Sequence, residues 1–228
     1  MDALTPRVVF TILGIPITNT VVSTWIIMLI IFIAGILIRL FKPIIGELLI
    51  EIVDNVVSSV LPENIIIAEY LPILGTLAIF LLLANISGVF PFMVSPTSNL
   101  NATIALAIVI FFSVHVYGIR KKGIWGYLKD LANPIFILPL EIVSQFSRTL
   151  SLSIRLFGNI LSTDLIVAIV FSLIPFLIPL PLAAFAMLTG VLQAYIFTIL
   201  ASLYIASAIE VNEFEKKRQD LKQETSQT

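Results

Sequence analysis

Charge is what this sequence has least of. Only 12% of its 228 residues are Asp, Glu, Lys or Arg, where a soluble domain carries about 25%. With 59% hydrophobic residues and a mean hydropathy of +1.09, water is excluded as the solvent for most of the chain, and lipid takes its place. Cysteine is absent, which removes disulfides, thiolate metal sites and a thiol nucleophile. The single histidine, His115, excludes a multi-histidine metal centre. No Gly-rich phosphate loop occurs, so nucleotide chemistry must happen elsewhere, and no cofactor or metal is expected. A net charge of −1 offers no electrostatic footprint for nucleic acid. Residues 1–6 include Asp2 and no basic residue, Arg7 stands alone, and no small-residue cleavage site follows the first apolar run, so no cleaved secretory signal is expected.

What the chain does have is five long apolar segments. Residues 21–41 end in Arg39, Lys42 and Pro43, and residues 71–90 are entered through Pro72 and closed by Gly88 and Pro91. Residues 102–119 precede Arg120, Lys121 and Lys122, and residues 134–173 form an unusually polar fourth segment. Residues 182–209 form the fifth, ahead of a charged tail at 210–228. A span needs about 20 residues to cross a hydrocarbon core of ~30 Å. The fourth segment, at about 1.5 Å per residue, is about twice that length and must tilt or bend. The expected fold is therefore all-α: a single membrane domain over 1–228, with about five helices and the last two a long tilted hairpin joined through Pro175, Pro179 and Pro181. Glu47, Glu51 and Asp54 recur at helical spacing among aliphatics, which suits an amphipathic helix at the membrane interface. Trp125, Tyr127 and Lys129 give residues 123–131 an interfacial composition as well.

The basic residues orient the chain. With five crossings, Arg39, Lys42, Arg120, Lys121, Lys122, Lys129, Lys216, Lys217, Arg218 and Lys222 all fall on one side, and Arg7 alone on the other. The positive-inside rule makes that side cytoplasmic and the N-terminus external.

Four charged residues remain inside the fourth segment: Glu141, Arg148, Arg155 and Asp164. An arginine at bilayer depth costs about 2.5–3.5 kcal/mol on insertion scales, so it is kept only where it meets water, a partner charge or a protein groove. Glu141, Arg148 and Arg155 are seven apart and form one stripe, with Ser144, Gln145, Ser151, Gly158 and Asn159 on or beside it. Ser151, Ser153 and Gly158 are small enough to let another backbone approach closely. Asp164, nine residues after Arg155, lies about 180° round the helix. Two readings stand for Glu141 with Arg148, an internal polar pair or a position nearer the cytoplasmic interface, and Asp164 is open to internal pairing. For Arg155 no acid lies three or four positions away, and a charge held against a second membrane protein is the expectation. Asn85, Asn99, Asn101, His115 and Ser151 are candidates for lining aqueous access, with helix capping and local bonding the alternative. Glu210, at the end of the last helix, reads as an interfacial charge.

The run Ser151-Leu152-Ser153-Ile154-Arg155-Leu156-Phe157-Gly158-Asn159, continuing to Asp164, resembles subunit a of the F-type ATP synthases. Leu192-Gln193-Ala194-Tyr195-Ile196-Phe197, Ala84-Asn85-Ile86-Ser87-Gly88, residues 96–101 and residues 117–123 also fit, so the resemblance covers about residues 70–210. The Ile178-Pro179-Leu180-Pro181 turn looks most like the cyanobacterial and plastid branch. The resemblance implies a stator subunit in a bacterial inner membrane, or alternatively a thylakoid membrane. Its implied partners are c-ring proteolipids, peripheral-stalk b subunits and the F1 head, with lipid around it and H⁺ or Na⁺ as the ion. It also implies that Arg155 faces the ion-carrying carboxylates of the ring. Asn159 and Gln193 would be polar residues near that arginine and the half-channels, Asp164 an acid in the channel open to the outside, and Glu141 and Arg148 the acidic and basic positions towards the cytoplasm. Two departures stand out: Asp164 is shorter than the glutamate of many relatives, and Ala186 stands where some have an ionisable residue.

The chemistry agrees with that role. An arginine holds its charge at any accessible pH and cannot relay protons, but a fixed positive charge in low dielectric favours the ionised form of a nearby carboxylate. Ring carboxylates would lose their ion beside Arg155 and reload from a second, offset path. The chain would thereby work without catalysing a reaction itself. A stand-alone secondary ion transporter is the alternative from another class; it favours inverted repeats and paired broken helices, and no internal symmetry of that kind is evident.

Overall fold

The computed structural model describes residues 8–12, 15–61, 67–89, 93–131, 138–173 and 179–226; side chains 12, 15, 43, 130, 131, 179, 180 and 210–226 lie outside that description. The chain opens with a β-hairpin, β1 (Val8–Ile12) and β2 (Ile15–Thr18), paired antiparallel. Six helices follow: α1 (Asn19–Phe41), α2 (Pro43–Ser58), α3 (Leu71–Ser87), α4 (Leu100–Leu131), α5 (Leu138–Leu173) and α6 (Pro179–Ser226). The expected all-α membrane architecture is present, with the hairpin as an addition the sequence reading did not anticipate.

Punctuation in the sequence explains the boundaries. The Lys42 N–H closes on the Ile38 carbonyl at the end of α1, and Pro43 then opens α2, a position where its missing N–H costs nothing. Pro72 plays the same part in the first turn of α3. Asn99 caps α4: its Oδ1 accepts the Asn101 N–H at 2.9 Å, which satisfies one of the donors orphaned at a helix start. Four helices, α1, α4, α5 and α6, have spans long and apolar enough to cross a membrane, and Leu71–Ser87 is a shorter apolar helix. At about 1.5 Å per residue α3 is about 26 Å long and α5 about 54 Å. Helix α6 continues past residue 209 through Ser226, so the stretch expected as a plain solvated tail is helical in its backbone.

Helices α3, α4, α5 and α6 form the bundle, with α3 against α6, α4 against α5, and both α4 and α5 against α6. Its core contains Leu74, Leu77 and Leu81 of α3, Ile110 of α4, Leu152, Leu156 and Ile160 of α5, and Phe197, Ala201 and Ile205 of α6. Ala84, Ala107, Ala194, Ala201, Ser153 and Ser202 are all buried, and such small residues draw helices together where lipid removes the hydrophobic force between them. Helix α1 is peripheral: it buries Thr20, Ser23 and Ile27, while Leu29 and Phe32 stay 58% and 66% exposed, as a lipid-facing helix does. Helix α2 buries Val57 and rests Val53 against Gly75 of α3, yet leaves Ile44, Leu48 and Ile52 exposed beside Glu47 and Glu51. That mixture of exposed apolar and acidic residues is the surface of an amphipathic helix.

Gly123 breaks α4 with φ 74° and ψ 163°. Positive φ at this point is open to glycine at no steric cost, and it turns the segment carrying Tyr127 back on the helix. The Tyr127 ring closes over Gly118, where a Cβ would lie 2.5 Å from Cε2, and stands edge-on to His115 with ring centroids 5.9 Å apart. Gly118→Ala is therefore expected to destabilise the chain by about 1–3 kcal/mol through overpacking. Denaturation in detergent checks this. The cost should largely vanish in a Tyr127→Ala background; an equal cost there would show that the ring is not what the methyl meets.

Candidate ion-path site

Helix α5 shows two unlike sides. Leu152, Ser153, Leu156 and Ile160 point into the bundle, whereas Ser151, Ile154, Arg155 and Asn159 are exposed. The division follows from the 3.6-residue period: apolar and small residues recur at 152, 153, 156 and 160 and pack on α4 and α6. Arg155 falls on the far side, and among the described residues it makes no ion pair. A Cβ built on Gly158 meets nothing within 4 Å, so the surface one turn along from the guanidinium is open. Ile154, next to Arg155 in the chain, is 58% exposed, and Leu188, Leu192 and Tyr195 of α6 are exposed as well.

Asn159 links this face to α6. Its Nδ2 donates to Gln193 Oε1 at 2.7 Å, across 34 residues of sequence. Gln193 is buried, and its Nε2 has no hydrogen-bond partner among the described residues. Asp164 turns the other way. It is partly buried beside α3, its Oδ1 3.6 Å from the point where a Gly88 Cβ would stand, and it has no ion pair among the described residues. Gly88 in turn lies against Ser95, whose Cβ is 3.2 Å from the same point. The opposition of Arg155 and Asp164 expected from a nine-residue interval is thus realised: one charge faces outward, and the other faces the α3–α4 connection.

The remaining residues divide. Glu141 accepts a hydrogen bond from Gln145 Nε2 at 3.3 Å, not from Arg148, so the Glu141–Arg148 pair is not formed. Both are half-buried. His115 bonds the Phe111 carbonyl through Nδ1 at 2.7 Å and lies against the Phe111 ring, tilted by 45° with centroids 4.3 Å apart, a local packing arrangement. Asn99 is spent on its cap. The Glu210 side chain lies outside the described residues, as do the 90–92 and 174–178 segments of the two connections.

Asn85 has the fullest set of partners. Its Nδ2 donates to the Gly190 carbonyl of α6 at 2.9 Å, and its Oδ1 accepts from Thr97 Oγ1 at 2.7 Å. Thr97 Oγ1 also lies 2.7 Å from Ser95 Oγ, which donates to the Ala84 carbonyl at 2.9 Å. All three side chains are buried. Glycine at 190 suits this close approach: a Cβ there would stand 3.0 Å from the Asn85 Cβ. The network ties a 3₁₀ turn, Pro96–Ser98, to α3 and α6, and that turn walls the side of the bundle on which Asp164 lies. Sequence reasoning singled out Asn85 but not Ser95 as a partner. The three-way bond joins positions whose proximity exists only in the folded bundle.

Comparison with known proteins bears on this geometry. A family model described as the ATP synthase A chain matches residues 17–206. ATP synthase subunit a 2 of Bradyrhizobium sp. is 41% identical over 212 residues, 90% of this chain and 95% of its own length. ATP synthase subunit a of Legionella pneumophila strain Philadelphia 1 is 39% identical over 221 residues, 93% of this chain and 95% of its own. ATP synthase subunit a 2 of the Picosynechococcus strain PCC 7002 is 47% identical over 156 residues, 68% of this chain and 66% of its own.

Removal of one hydroxyl tests the polar clamp. Thr97→Val leaves the buried Asn85 Oδ1 without its donor and is expected to cost about 1–3 kcal/mol, the usual penalty for an orphaned buried polar group. Ser98→Ala loses only a local, part-buried bond to the Ser95 carbonyl and should cost under about 1 kcal/mol. Equal unfolding midpoints for the two variants in detergent would contradict the clamp.

Proposed function

Because the chain belongs to the family of ATP synthase subunit a, we propose that its Arg155 face is the surface past which the ion-carrying carboxylates of a proteolipid c-ring travel. The chain is an ion-translocating membrane subunit acting in a complex with the other ATP synthase subunits, and coupling ion flow to rotation is its contribution. The observation that carries the assignment of the face is the exposed guanidinium on α5, without an ion pair among the described residues and set beside Ser151 and the open Gly158. Within hydrocarbon such a charge is costly, and a passing carboxylate on another subunit supplies the missing counter-ion.

The mechanism is electrostatic. A permanent cation favours the ionised form of an approaching acid, so the acid gives up its ion on one side of Arg155 and regains one on the other. The same charge repels a cation that would cross directly between the two paths. Asp164, turned towards Gly88 and Ser95, belongs on this reading to the path open to the outside; Glu141 and Arg148, early in α5, belong to the path open to the cytoplasm. Asn159, held by Gln193, orients amide dipoles next to the guanidinium and joins α5 to α6 at that level. Each elementary charge moved across 100 mV releases about 2.3 kcal/mol, so several per turn are needed to drive ATP formation by the soluble head. The chain performs no nucleotide chemistry itself. The remaining partners on this reading are the peripheral-stalk b subunits and, through the complex, the F1 head. The setting is a bacterial cell membrane, with α1, α3, α4, α5 and α6 as the five spans and the N-terminus outside; the basic residues after α1, late in α4 and late in α6 support that orientation.

Arg155→Ala in inverted vesicles is the test. ATP-driven ion uptake is expected to fall at least about tenfold, the loss of about 1.4 kcal/mol or more of stabilisation, while ATP hydrolysis by the detached head is unchanged. Uptake at the unsubstituted rate would refute the role of Arg155. Repeating the assay with and without sodium identifies the ion.

A further inference from the structure

We infer that the folded-back end of α4 is a docking site for anionic phospholipid headgroups, with Trp125 seated in the bilayer interface beside the cations Lys121 and Lys129. This rests on reading α4 as a span, and not on the ion path. Ile108, Phe112 and Val116 are all exposed, Phe112 by 61%, and a spacing of four keeps them on one side of the helix. The next position of that stripe is Arg120, also exposed. A lipid-facing stripe that ends in arginine marks the start of the headgroup layer, where the apolar stem stays in lipid and the charge reaches the phosphates. Gly123, with φ 74°, then turns the chain back. Tyr127 closes over Gly118, and a Cβ on Gly126 would stand 3.5 Å from the Lys122 Cβ, so residues 124–129 are held at the level of the last turns of the span.

Helical phase sets what this returned segment shows. Tyr127 is buried, so Trp125 and Lys129, one turn apart and about 160° round from it, face outward. Trp125 is 86% exposed, and Ile124 and Leu128 are exposed next to it. Tryptophan with lysine at a span's end is the composition of the membrane–water interface. Charge selects the lipid. Arg120, Lys121 and Lys129 are exposed, and none makes an ion pair among the described residues; Lys122 is half-buried and already engaged. Residues 100–131 hold a single acid, Asp130, whose side chain lies outside the description. Such basic segments at the end of a span attract anionic headgroups, which bring net negative charge where phosphatidylethanolamine cancels its phosphate with its own ammonium. An acidic protein segment would also meet the cations. Lipid is favoured because the stripe ending in Arg120 already faces it, so one continuous bilayer covers both Phe112 and Trp125.

The test uses the assembled complex in vesicles of equimolar phosphatidylethanolamine and phosphatidylglycerol. Bromines, which quench indole on contact, are placed on the chains of one lipid or of the other. The Trp125 signal is the difference between the unsubstituted complex and Trp125→Phe, each first shown to retain ATP-driven pumping. Brominated phosphatidylglycerol is expected to quench it several-fold more than brominated phosphatidylethanolamine. High salt, which screens exposed charges, and the double substitution Lys121→Gln/Lys129→Gln should each bring the two lipids close to parity. Equal quenching by both lipids in the unsubstituted complex, or a preference that survives the double substitution, would overturn the inference. Absence of quenching by either lipid would overturn it in favour of water or a protein cover. Phe112→Trp, read in the Trp125→Phe background, reports on the span itself; if it too went unquenched, the reading of α4 as a span would be the part that failed, and the docking site would fall with it.

Discussion

A guanidinium without a counter-ion among the described residues, set in an apolar helix, is the constraint to which the rest of this chain answers. Its cost in hydrocarbon is several kcal/mol, comparable with the whole stability margin of many domains, and nothing among the described residues of the chain repays it. Helix α5 keeps the charge in place by burying its opposite side: Leu152, Ser153, Leu156 and Ile160 lock onto α4 and α6, so the helix cannot rotate Arg155 inward without exposing its packed face. Ser151 and Gly158 keep the outer surface low, and a second membrane subunit can approach the charge at short range. Proximity matters because Coulomb attraction in low dielectric is strong and falls with distance.

The polar groups around Asn85 are handled in the opposite way. Asn85, Ser95 and Thr97 are buried and share a closed set of bonds with one another and with the carbonyls of Ala84 and Gly190. Thr198 and Ser202 return their hydroxyls to carbonyls one turn back. The bonds of Asn85 to Gly190 and Thr97 hold separate elements in register at a net gain of about a kcal/mol per bond. The contrast separates structural polarity, satisfied within the chain, from the Arg155 face, which on the proposed reading is completed by a complex. Asp164 stands between the two regimes: it belongs to the side wall made by Gly88 and Ser95 and has no ionic partner among the described residues.

Much of this was legible in the residues. Apolar length located α1, α3, α4, α5 and α6, because a lipid-facing helix must be apolar whatever it packs against. The seven-residue spacing of Glu141, Arg148 and Arg155, and the nine-residue step to Asp164, separated outward from inward charge, because helical phase is a property of sequence alone. Other features were not legible. The hairpin hides in an apolar run that merges with the first span. The backward turn at Gly123 depends on a ring four residues later finding Gly118. The bond from Asn85 to Gly190 crosses 105 residues, and only the folded bundle brings its ends together. Whether Glu141 would choose Gln145 or Arg148 was likewise a matter of side-chain reach and not of spacing.

The central claim is that the face of α5 bearing Arg155 lies against the rotating ring. Disulfide capture measures it directly: a cysteine at position 151 or 158 of this cysteine-free chain, paired with one beside the ring carboxylate, is expected to form an oxidative cross-link in high yield in assembled membranes. A cysteine at position 153, on the buried side of the same helix, should give little or none. Cross-linking from position 153 with none from 151 and 158 would turn the helix round and contradict the account.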